Sequence, residues 1–315
     1  MAITDNHRMV IKVCELYYKD NLSQKMISAK LGISRSQISR ILATARANNI
    51  VTIKIDNPYS DETILEKTLI EKFKLKDALV INTEGLSSPS SIVELCKQAA
   101  LQLDAYIPNQ CSVGIMSGKT ISELVKSIQN FNKRGLEFIP LIGGMGSDGA
   151  DWHANIIVKF FADKTSGKYY FLNAPVMVNN IKSKKILMSE PGISKVLKKG
   201  MQCEVVIIGV GQVSENSTSV IAGALGLPEI EKLKSLGAVA SVCGSYVDKN
   251  GNIIENDITN RTIGQTLERI RRAKKIAVAD GRSKVEALGA VLSGGHIDIL
   301  ITSLDTARGI INLYK

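Results

Sequence analysis

The sequence predicts an α/β protein with two domains: a small N-terminal helical domain and a large domain built on a mostly parallel, doubly wound sheet. The length of 315 residues suits two domains better than one. Basic residues are concentrated near the N-terminus, and short apolar runs alternate with helical patterns from residue 78 onward. These two patterns indicate that the two domains differ in character.

Composition and cysteine content exclude several classes of protein. No apolar run approaches the roughly 18 residues needed to cross a bilayer, and the first residues lack the apolar core of a secretion signal. The five cysteines contain no C-x-x-C pair and are odd in number, which fits neither a disulfide framework nor a zinc site. We therefore expect a cytoplasmic protein with reduced thiols, no metal, no cofactor and no membrane contact.

The excess positive charge is unevenly distributed along the chain. Residues 1–56 hold nine basic and four acidic residues, a net charge of +5, which is half of the +10 of the whole chain. Such a concentration favours a polyanionic partner for the N-terminal domain. The alternative is a basic face that serves only solubility.

The basic segment has the pattern of a helix-turn-helix unit. Helical spacing of apolar residues predicts three helices, over Met9–Tyr18, Gln24–Leu31 and Arg35–Ala47. Ser23 and Ser34 precede the second and third helices as N-caps, and Gly32 is suited to end the second. Two helices joined by a short turn that contains glycine are typical of this DNA-binding unit.

The third helix is the predicted recognition helix. Its first residues are polar and lie off the apolar stripe of Ile38, Ile41 and Leu42, so they could meet base edges in the major groove. Gln37 could pair with adenine, and arginines with guanine or phosphate. The predicted DNA-contacting residues are Lys25, Ser34, Arg35, Ser36, Gln37, Ser39, Arg40 and Arg46. The alternative is a helical hairpin packed in a core or a dimer interface.

Two features follow the helix-turn-helix pattern. Residues 51–55 alternate as a strand that could form a wing. Pro58 then marks a boundary, which predicts a DNA-binding domain over residues 1–57 and a second domain over residues 58–315. The helix predicted over Glu62–Lys74 could connect the domains, dimerise, or pack into the core.

The second domain alternates strands with helices. The predicted strands are Ala78–Ile81, Ser112–Met116, Glu137–Ile142, Tyr169–Leu172, Glu204–Val210, Ala238–Cys243, Lys275–Ala279 and Ile297–Thr302. The predicted helices are Ser90–Leu103, Ile121–Ile128, His153–Ala162, Ile193–Lys199, Glu229–Leu236, Gly264–Arg272, Lys284–Leu292 and Thr306–Leu313. Strands without strict alternation indicate burial on both faces, as in a parallel sheet. Ligands of such sheets bind at the carboxyl ends of the strands.

Two turns at these strand ends imitate nucleotide-binding motifs. The segment from Gly114 to Thr120 has three residues between its glycines where a P-loop needs four. The glycine pattern from Gly144 to Gly149 has no carboxylate about 20 residues later, as a dinucleotide site would require. We therefore expect neither an ATPase nor an NAD-binding protein.

The first turn nevertheless offers the chemistry of a phosphate site. Ser117, Lys119 and Thr120 lie at the start of a helix, where free N–H groups favour an anion. The alternative is an ordinary strand-to-helix turn. Other turns at the same sheet end contribute the segment from Gly209 to Gln212, Ser241, and Lys284, a cation that is unusual at the start of a helix.

Several short segments together resemble the SorC family of bacterial transcription regulators over nearly the whole chain. In the N-terminal part they are Leu16-Tyr-Tyr18, Leu22-Ser-Gln24, Leu31-Gly-Ile-Ser-Arg35 and Ile38-Ser-Arg40. They continue with Val113-Gly114, Gly118-Lys-Thr120, Leu141-Ile-Gly-Gly144, Ala174-Pro175, Ile208-Gly-Val-Gly211 and Gly237-Ala-Val239. The last are Thr262-Ile-Gly264, Lys284, Gly294-Gly295, Leu300-Ile-Thr302 and Asp305-Thr-Ala307.

This resemblance implies a helix-turn-helix domain followed by an effector-binding domain similar in fold to glucosamine-phosphate deaminases and ribose-phosphate isomerases. It implies binding of operator DNA, sensing of a phosphorylated sugar or polyol, and assembly into homo-oligomers, usually tetramers. The effector-binding residues expected from the turns and the resemblance are Ser117, Gly118, Lys119, Thr120, Gly143, Gly144, Gln212, Ser241 and Lys284.

The chain also departs from the family pattern. Ser117 stands where relatives commonly carry Trp, and Ser241 and Ser303 stand where they commonly carry Asp. Asp280 occupies a position where Gly is more usual. These differences put the polyol end of the predicted site in question more than the phosphate end.

Three functions compete at this point. A ligand-responsive DNA-binding regulator of a carbohydrate-utilisation operon agrees with all the patterns above. A sugar-phosphate isomerase or deaminase would need a poised carboxylate or histidine, and the chain has only three histidines. A DNA-binding scaffold would bind operator DNA without responding to a small molecule. We expect the regulator and no enzymatic activity.

Overall fold

The computed structural model describes residues 7–144 and 151–314, which form two compact units that divide between Pro58 and Tyr59. The motif glycines Gly146 and Gly149 of the rejected dinucleotide pattern lie outside these ranges. Each unit has its own core, and within the described ranges no helix is long and apolar enough to cross a membrane.

The N-terminal unit has the predicted helices. Helix α1 spans His7–Cys14 and continues as a π-helical turn over Glu15–Lys19. Helices α2 and α3 span Gln24–Leu31 and Arg35–Ala47, which confirms both predicted ranges. The Ser23 hydroxyl caps α2 by accepting from the Met26 N–H at 3.3 Å, and Gly32 ends it with φ of 67°. Their inward residues form one core with α1: Val10, Val13, Leu16, Ile27, Ile38, Ile41, Leu42 and Ala45.

The predicted strand over residues 51–55 is wrong. These residues form no strand, and the side chains of Ile53 and Ile55 are 59% and 80% exposed. A strand needs a partner for its backbone hydrogen bonds, and no other segment of the described part of this unit is extended beside it. The alternation of apolar residues was therefore not sufficient to predict a strand in this segment.

The second unit contains a seven-stranded parallel sheet in the order β1-β10-β9-β5-β2-β3-β4. These strands are β1 (Asp77–Ile81), β2 (Ser112–Ile115), β3 (Glu137–Pro140), β4 (Lys168–Tyr169), β5 (Val205–Ile208), β9 (Lys274–Val278) and β10 (Ile299–Ser303). The helices are α4 (Ser60–Phe73), α5 (Ser88–Tyr106), α6 (Lys119–Ser127), α7 (Ala154–Thr165), α8 (Ile181–Ser189), α9 (Pro191–Met201), α10 (Thr218–Ile221), α11 (Leu227–Ser235), α12 (Asp257–Arg261), α13 (Val285–Ser293) and α14 (Leu304–Leu313).

Helices cover both faces of this sheet, as predicted for a doubly wound fold. One face packs against α5, α6 and α7 through residues such as Leu95, Leu124 and Phe161. The other packs against α4, α9, α13 and α14 through residues such as Leu69 and Leu288. Because all seven strands are parallel, their carboxyl ends lie at the same edge of the sheet.

A second, smaller sheet departs from the prediction. Strands β6 (Gly211–Gln212), β7 (Ala238–Val242) and β8 (Ser245–Asp248) pair antiparallel in that order. The β7 segment was expected in the parallel sheet. Cys243 and Gly244 both have positive φ, of 44° and 63°, which reverses the chain immediately after β7. The tight reversal pairs β7 with β8 instead of sending it to a helix.

The helix predicted over Gly264–Arg272 is also wrong. The Gln265 N–H donates to the Leu141 carbonyl at 2.7 Å, and Gly264 pairs with Ile142 in an isolated bridge. This contact holds the segment extended at its start, and the residues that follow form turns. Three helices were not predicted: α8, α10 and α12. Helix α8 has no buried residue, so it lacks the apolar stripe that helical patterns reveal.

All five cysteines are buried and unpaired. Cys14 belongs to the N-terminal core, whereas Cys96, Cys111, Cys203 and Cys243 lie in the second unit. Burial raises the pKa of the Cys203 and Cys243 thiols to about 12. These thiols are therefore protonated at neutral pH, as in reduced core residues.

Candidate DNA-binding helix and effector cavity

The outer face of α3 presents the residues predicted to contact DNA. Ser34, Arg35, Ser36, Gln37, Ser39 and Arg40 are exposed, while Ile38 is buried. Lys25 and Arg46 are exposed on the same unit. The four cations Lys25, Arg35, Arg40 and Arg46 form no ion pair within the described ranges, unlike Lys19, which pairs with Glu15 at 2.8 Å. Their charges are available to an external anion.

Gln37 has a second role that the base-reading prediction did not include. Its Oε1 accepts from the Ser34 N–H and hydroxyl, both at 3.1 Å, while the Ser34 hydroxyl accepts from the Gln37 N–H at 3.3 Å. This reciprocal capping box starts α3. Bidentate pairing with adenine would use both the oxygen and the nitrogen of the amide. In this conformation only Nε2 is free, so such pairing would open the cap.

A cavity of about 560 Å³ lies at the carboxyl ends of the central parallel strands. Its volume is within the range of small-molecule sites. The sequence-predicted residues among its lining are Ser117, Gly118, Lys119, Thr120, Gln212, Ser241 and Lys284. The residues that sequence reasoning missed include Asn216, Ser217, Thr218, Ser219, Tyr246 and Thr262.

The turn after β2 supplies the first part of the cavity wall. Gly118 has φ of 151°, and its N–H donates to the Trp152 carbonyl at 2.9 Å. Helix α6 begins at the next residue, so the helix N-terminus with Lys119 and Thr120 borders the cavity. The first N–H groups of a helix have no intrahelical acceptor and favour an anion.

The turn after β9 supplies the second cation. Gly281 adopts φ of 121°, and a short 3-10 turn over Arg282–Lys284 then leads into α13. Burial lowers the pKa of Lys284, and the negative charge of Asp280 partly offsets this effect. Within the described ranges the ammonium group has no hydrogen-bond or ion-pair partner. A half-buried cation without a partner is a favourable contact for an anion.

Gln212 and Ser241 come from the small antiparallel sheet. Gly211 pairs with Ser241 and Gln212 pairs with Ala240 across β6 and β7, and the residues Gln212 and Ser241 both line the cavity. Gln212 Nε2 donates to the Ser214 hydroxyl at 3.0 Å. The cavity therefore lies between the edges of two sheets within the second unit.

Gly143 and Gly144 are not among the described residues that line the cavity. The Gly144 N–H donates to the Ala174 carbonyl at 2.8 Å, and the Val176 N–H donates back to Gly144. A Cβ on Gly143 would lie 2.6 Å from the carbonyl oxygens of both Ala174 and Pro175. These glycines permit close approach of two backbone segments, whereas the prediction assigned them to the ligand.

Two of the residues that depart from the family pattern, Asp280 and Ser303, are in contact with each other. Asp280 is buried at the end of β9, and its carboxylate accepts from the hydroxyls of Ser91, Ser303 and Thr306. The Ser303 hydroxyl also caps α14. Position 303 thus holds a hydroxyl donor directly against the carboxylate at position 280.

The two units define a class of protein. A helix-turn-helix whose third helix carries exposed cations without ion-pair partners in the described residues, joined to a parallel-sheet domain with a ligand-sized cavity, is the arrangement of a ligand-controlled transcription regulator.

Comparisons with known proteins agree with this class. Residues 57–312 match the model of the family described as "Putative sugar-binding domain". The chain is 26% identical over 311 residues to the sorbitol operon regulator of Klebsiella pneumoniae, covering 98% of this chain and 99% of the relative. It is 27% identical over 309 residues to the deoxyribonucleoside regulator of Bacillus subtilis, covering 98% of each.

Solved structures agree in fold. The crystal structure of the full-length sorbitol operon regulator SorC from Klebsiella pneumoniae has a TM-score of 0.76 at 24% identity and covers 98% of this chain and 99% of its own. A DeoR family transcriptional regulator from Listeria monocytogenes has a TM-score of 0.74 at 30% identity, covering 79% and 99%.

The chain belongs to this sugar-binding domain family and to the SorC family of bacterial transcription regulators. It is a transcription regulator with a sugar-binding domain.

Proposed function

We propose that the chain binds operator DNA of a carbohydrate-utilisation operon and that a phosphorylated sugar or polyol bound in the cavity controls this binding. The observation that carries the proposal is the cation Lys284, which is held in the cavity wall without a partner in the described ranges. Burying an unpaired cation is unfavourable, and a phosphate would supply the missing opposite charge.

Lys119 and its turn support the position of the phosphate. Lys119 and Lys284 belong to turns after β2 and β9, two strands separated only by β5. Both turns lead into helices whose N-termini border the cavity. We infer that the phosphate is held by Ser117, Gly118, Lys119 and Thr120, with Lys284 as the second cation.

The remaining polar lining supports a polyhydroxylated body for the effector. Gln212 and Ser241 extend from the small sheet, and the segment from Asn216 to Ser219 adds an amide and three hydroxyls. Such groups both donate and accept hydrogen bonds, as sugar hydroxyls do. Among the described lining residues there is no carboxylate and no imidazole, which supports binding without acid–base catalysis.

The N-terminal unit supports DNA binding. We infer that α3 enters the major groove with Arg35, Ser36, Gln37, Ser39 and Arg40 near base edges. Lys25, Ser34 and Arg46 would contact the phosphate backbone, which positions the helix without reading sequence. The proposed division of labour is DNA binding by residues 1–57 and effector binding by residues 58–315.

Control of DNA binding would follow from linkage. If the effector prefers one arrangement of the protein and the operator another, each ligand weakens the binding of the other by the same factor. We propose that these arrangements belong to a homo-oligomer in the cytoplasm, a tetramer as the family resemblance implies.

A thermal-shift screen tests the proposed effector class. Phosphorylated sugars and polyols are each compared with the unphosphorylated parent compound at equal concentration. We expect a phosphorylated member to raise the unfolding temperature, because a ligand that binds only the native state stabilises it by mass action. Stabilisation by parent compounds alone would contradict the phosphate assignment. Rapid conversion of a stabilising sugar phosphate would instead favour the isomerase or deaminase alternative.

Gln37→Ala separates base reading from helix capping. We expect relaxed base preference in selection from randomised DNA, together with a stability loss of about 0.5–1 kcal/mol from the broken capping box. The matched control is Ser34→Ala, which breaks the same cap but keeps the Gln37 amide. If both variants retain the wild-type base preference, Gln37 has only the capping role.

A further inference from the structure

Asp280 is a buried carboxylate that lies outside the cavity lining and accepts hydrogen bonds from three hydroxyl groups. Its Oδ2 accepts from the Ser91 hydroxyl at 3.0 Å. Its Oδ1 accepts from the Thr306 hydroxyl at 2.9 Å and from the Ser303 hydroxyl. The residue is 8% exposed. An ionised carboxylate can only accept, so three hydroxyl donors suit its charged form.

This hydroxyl cluster also fixes the turn that carries Lys284. Thr306 Oγ1, which contacts Asp280, accepts from the Gly281 N–H at 3.0 Å. Gly281 adopts φ of 121°, where the chain turns away from β9, and the turn closes when the Lys284 N–H donates to the Gly281 carbonyl at 2.9 Å. The position of Lys284 thus depends on contacts made at Asp280 and Gly281.

Asp280 supplies a negative charge to Lys284 without binding it. Within the described ranges no ion pair joins the two side chains, and the carboxylate accepts its three hydrogen bonds from hydroxyls. A direct ion pair would occupy the ammonium group and compete with an incoming anion. A carboxylate held at a distance supports the protonated lysine and leaves its hydrogen bonds free.

We propose that Asp280 is a positioning residue for the anion site: through Thr306 it holds the turn over residues 281–284, and it places a negative charge near the Lys284 ammonium group without pairing with it, so that this group stays free to bind phosphate. This inference rests on the proposed role of Lys284 in the effector site. It assigns a function to a residue that does not touch the cavity.

The other ionisable groups around Lys284 do not replace this charge. Burial raises the pKa of Cys96, on α5, to about 12, so its thiol is neutral over the range of the test. Lys119, which lines the same cavity, has the same sign as Lys284. Arg282, in the same turn, is exposed and pairs with Asp305 at 3.2 Å. The burial that lowers the pKa of Lys284 is therefore offset mainly by Asp280.

The first test needs no ligand. Acetic anhydride reacts with neutral amines, so labelling of the full-length protein across pH, read by mass spectrometry, gives the titration midpoint of Lys284. We expect Asp280→Asn to lower this midpoint by roughly one pH unit, since loss of a nearby opposite charge favours the neutral amine. Lys119 is the internal control, and Asp305→Asn is the matched control because its carboxylate is exposed and paired with Arg282.

The second test uses inorganic phosphate as the probe. We expect Asp280→Asn to weaken phosphate binding by up to about tenfold at pH 9 and less at pH 7, because a midpoint lowered by one pH unit changes the charged fraction by at most tenfold. Asp280→Asn combined with Lys284→Arg should restore binding at pH 9, since a guanidinium stays charged there. A merely structural role for Asp280 would give a pH-independent loss that arginine does not restore.

The two hypotheses fail separately. An unchanged Lys284 midpoint in Asp280→Asn would overturn the inference, whatever the phosphate result. Absence of phosphate binding by the wild-type protein would count against the proposed site, while the labelling result would still decide the role of Asp280. If Asp280→Asn does not fold, Asp280→Ser removes the same charge and can both donate to and accept from the three hydroxyls.

Discussion

Replacing both Lys119 and Lys284 by alanine is expected to abolish the response to the effector while leaving operator binding intact. Each lysine would make a charge-assisted hydrogen bond to phosphate, worth about 1.5–3 kcal/mol. Loss of both should weaken effector binding on the order of 100-fold or more. The measurement is operator binding by fluorescence anisotropy, with and without a sugar phosphate that stabilises the wild-type protein.

The matched control for this variant is Lys126→Ala. Lys126 lies on α6, the helix that begins at Lys119, but it pairs with Asp151 at 2.7 Å and does not line the cavity. Its removal changes the charge of the same helix without touching the proposed site. A double variant that still responds to the effector like the wild-type protein would remove both lysines from the site.

Replacing Arg35 and Arg40 by alanine is expected to have the opposite outcome, with loss of operator binding and retention of effector binding. Both guanidinium groups are exposed at the start of α3 and unpaired within the described ranges. A bidentate contact to a base is worth about 1–3 kcal/mol, so operator affinity should fall roughly tenfold to 100-fold for each base-reading arginine. A phosphate-contacting arginine would also reduce the dependence of affinity on salt concentration.

Lys19→Ala is the control for the arginine variant. Lys19 belongs to the same unit and carries the same charge, but Glu15 already pairs with it. Its loss should change operator affinity little. Wild-type affinity and salt dependence in the arginine variant would contradict the assignment of α3 as the recognition helix.

The elements that the sequence predicts well are those with complete local signals. Helices α2 and α3 each follow a serine cap, and their inward residues recur at helical spacing, so both ranges are predicted correctly. Most of the parallel strands contain a short apolar run, and seven of the eight predicted strands lie in the parallel sheet. Strand β7 contains a similar run, but the sheet that it joins depends on a positive φ at Cys243, which cannot be predicted from the cysteine side chain.

The part of the candidate site that is set by the order of the parallel strands could be predicted from the sequence. Parallel strands bring their carboxyl ends to one edge, so turns more than 160 residues apart, at Lys119 and Lys284, line one cavity. The close approach of Gly143 to Ala174 could not be predicted, because nothing in a glycine shows whether a ligand or a backbone comes near. The sequence of residues 216–219 is typical of a polar loop. Its place in the cavity wall depends on tertiary structure, which this local sequence does not reveal.

The five buried cysteines give the protein internal reporters of local unfolding. A thiol-specific reagent added under native conditions can modify each of these side chains only when the surrounding core opens. Cys14 would report opening of the helix-turn-helix unit, Cys96 and Cys111 opening of the core on one face of the parallel sheet, and Cys203 and Cys243 opening of the core on the other face. The wild-type chain can therefore show separately how DNA and a small molecule change the opening of each unit, without any introduced label.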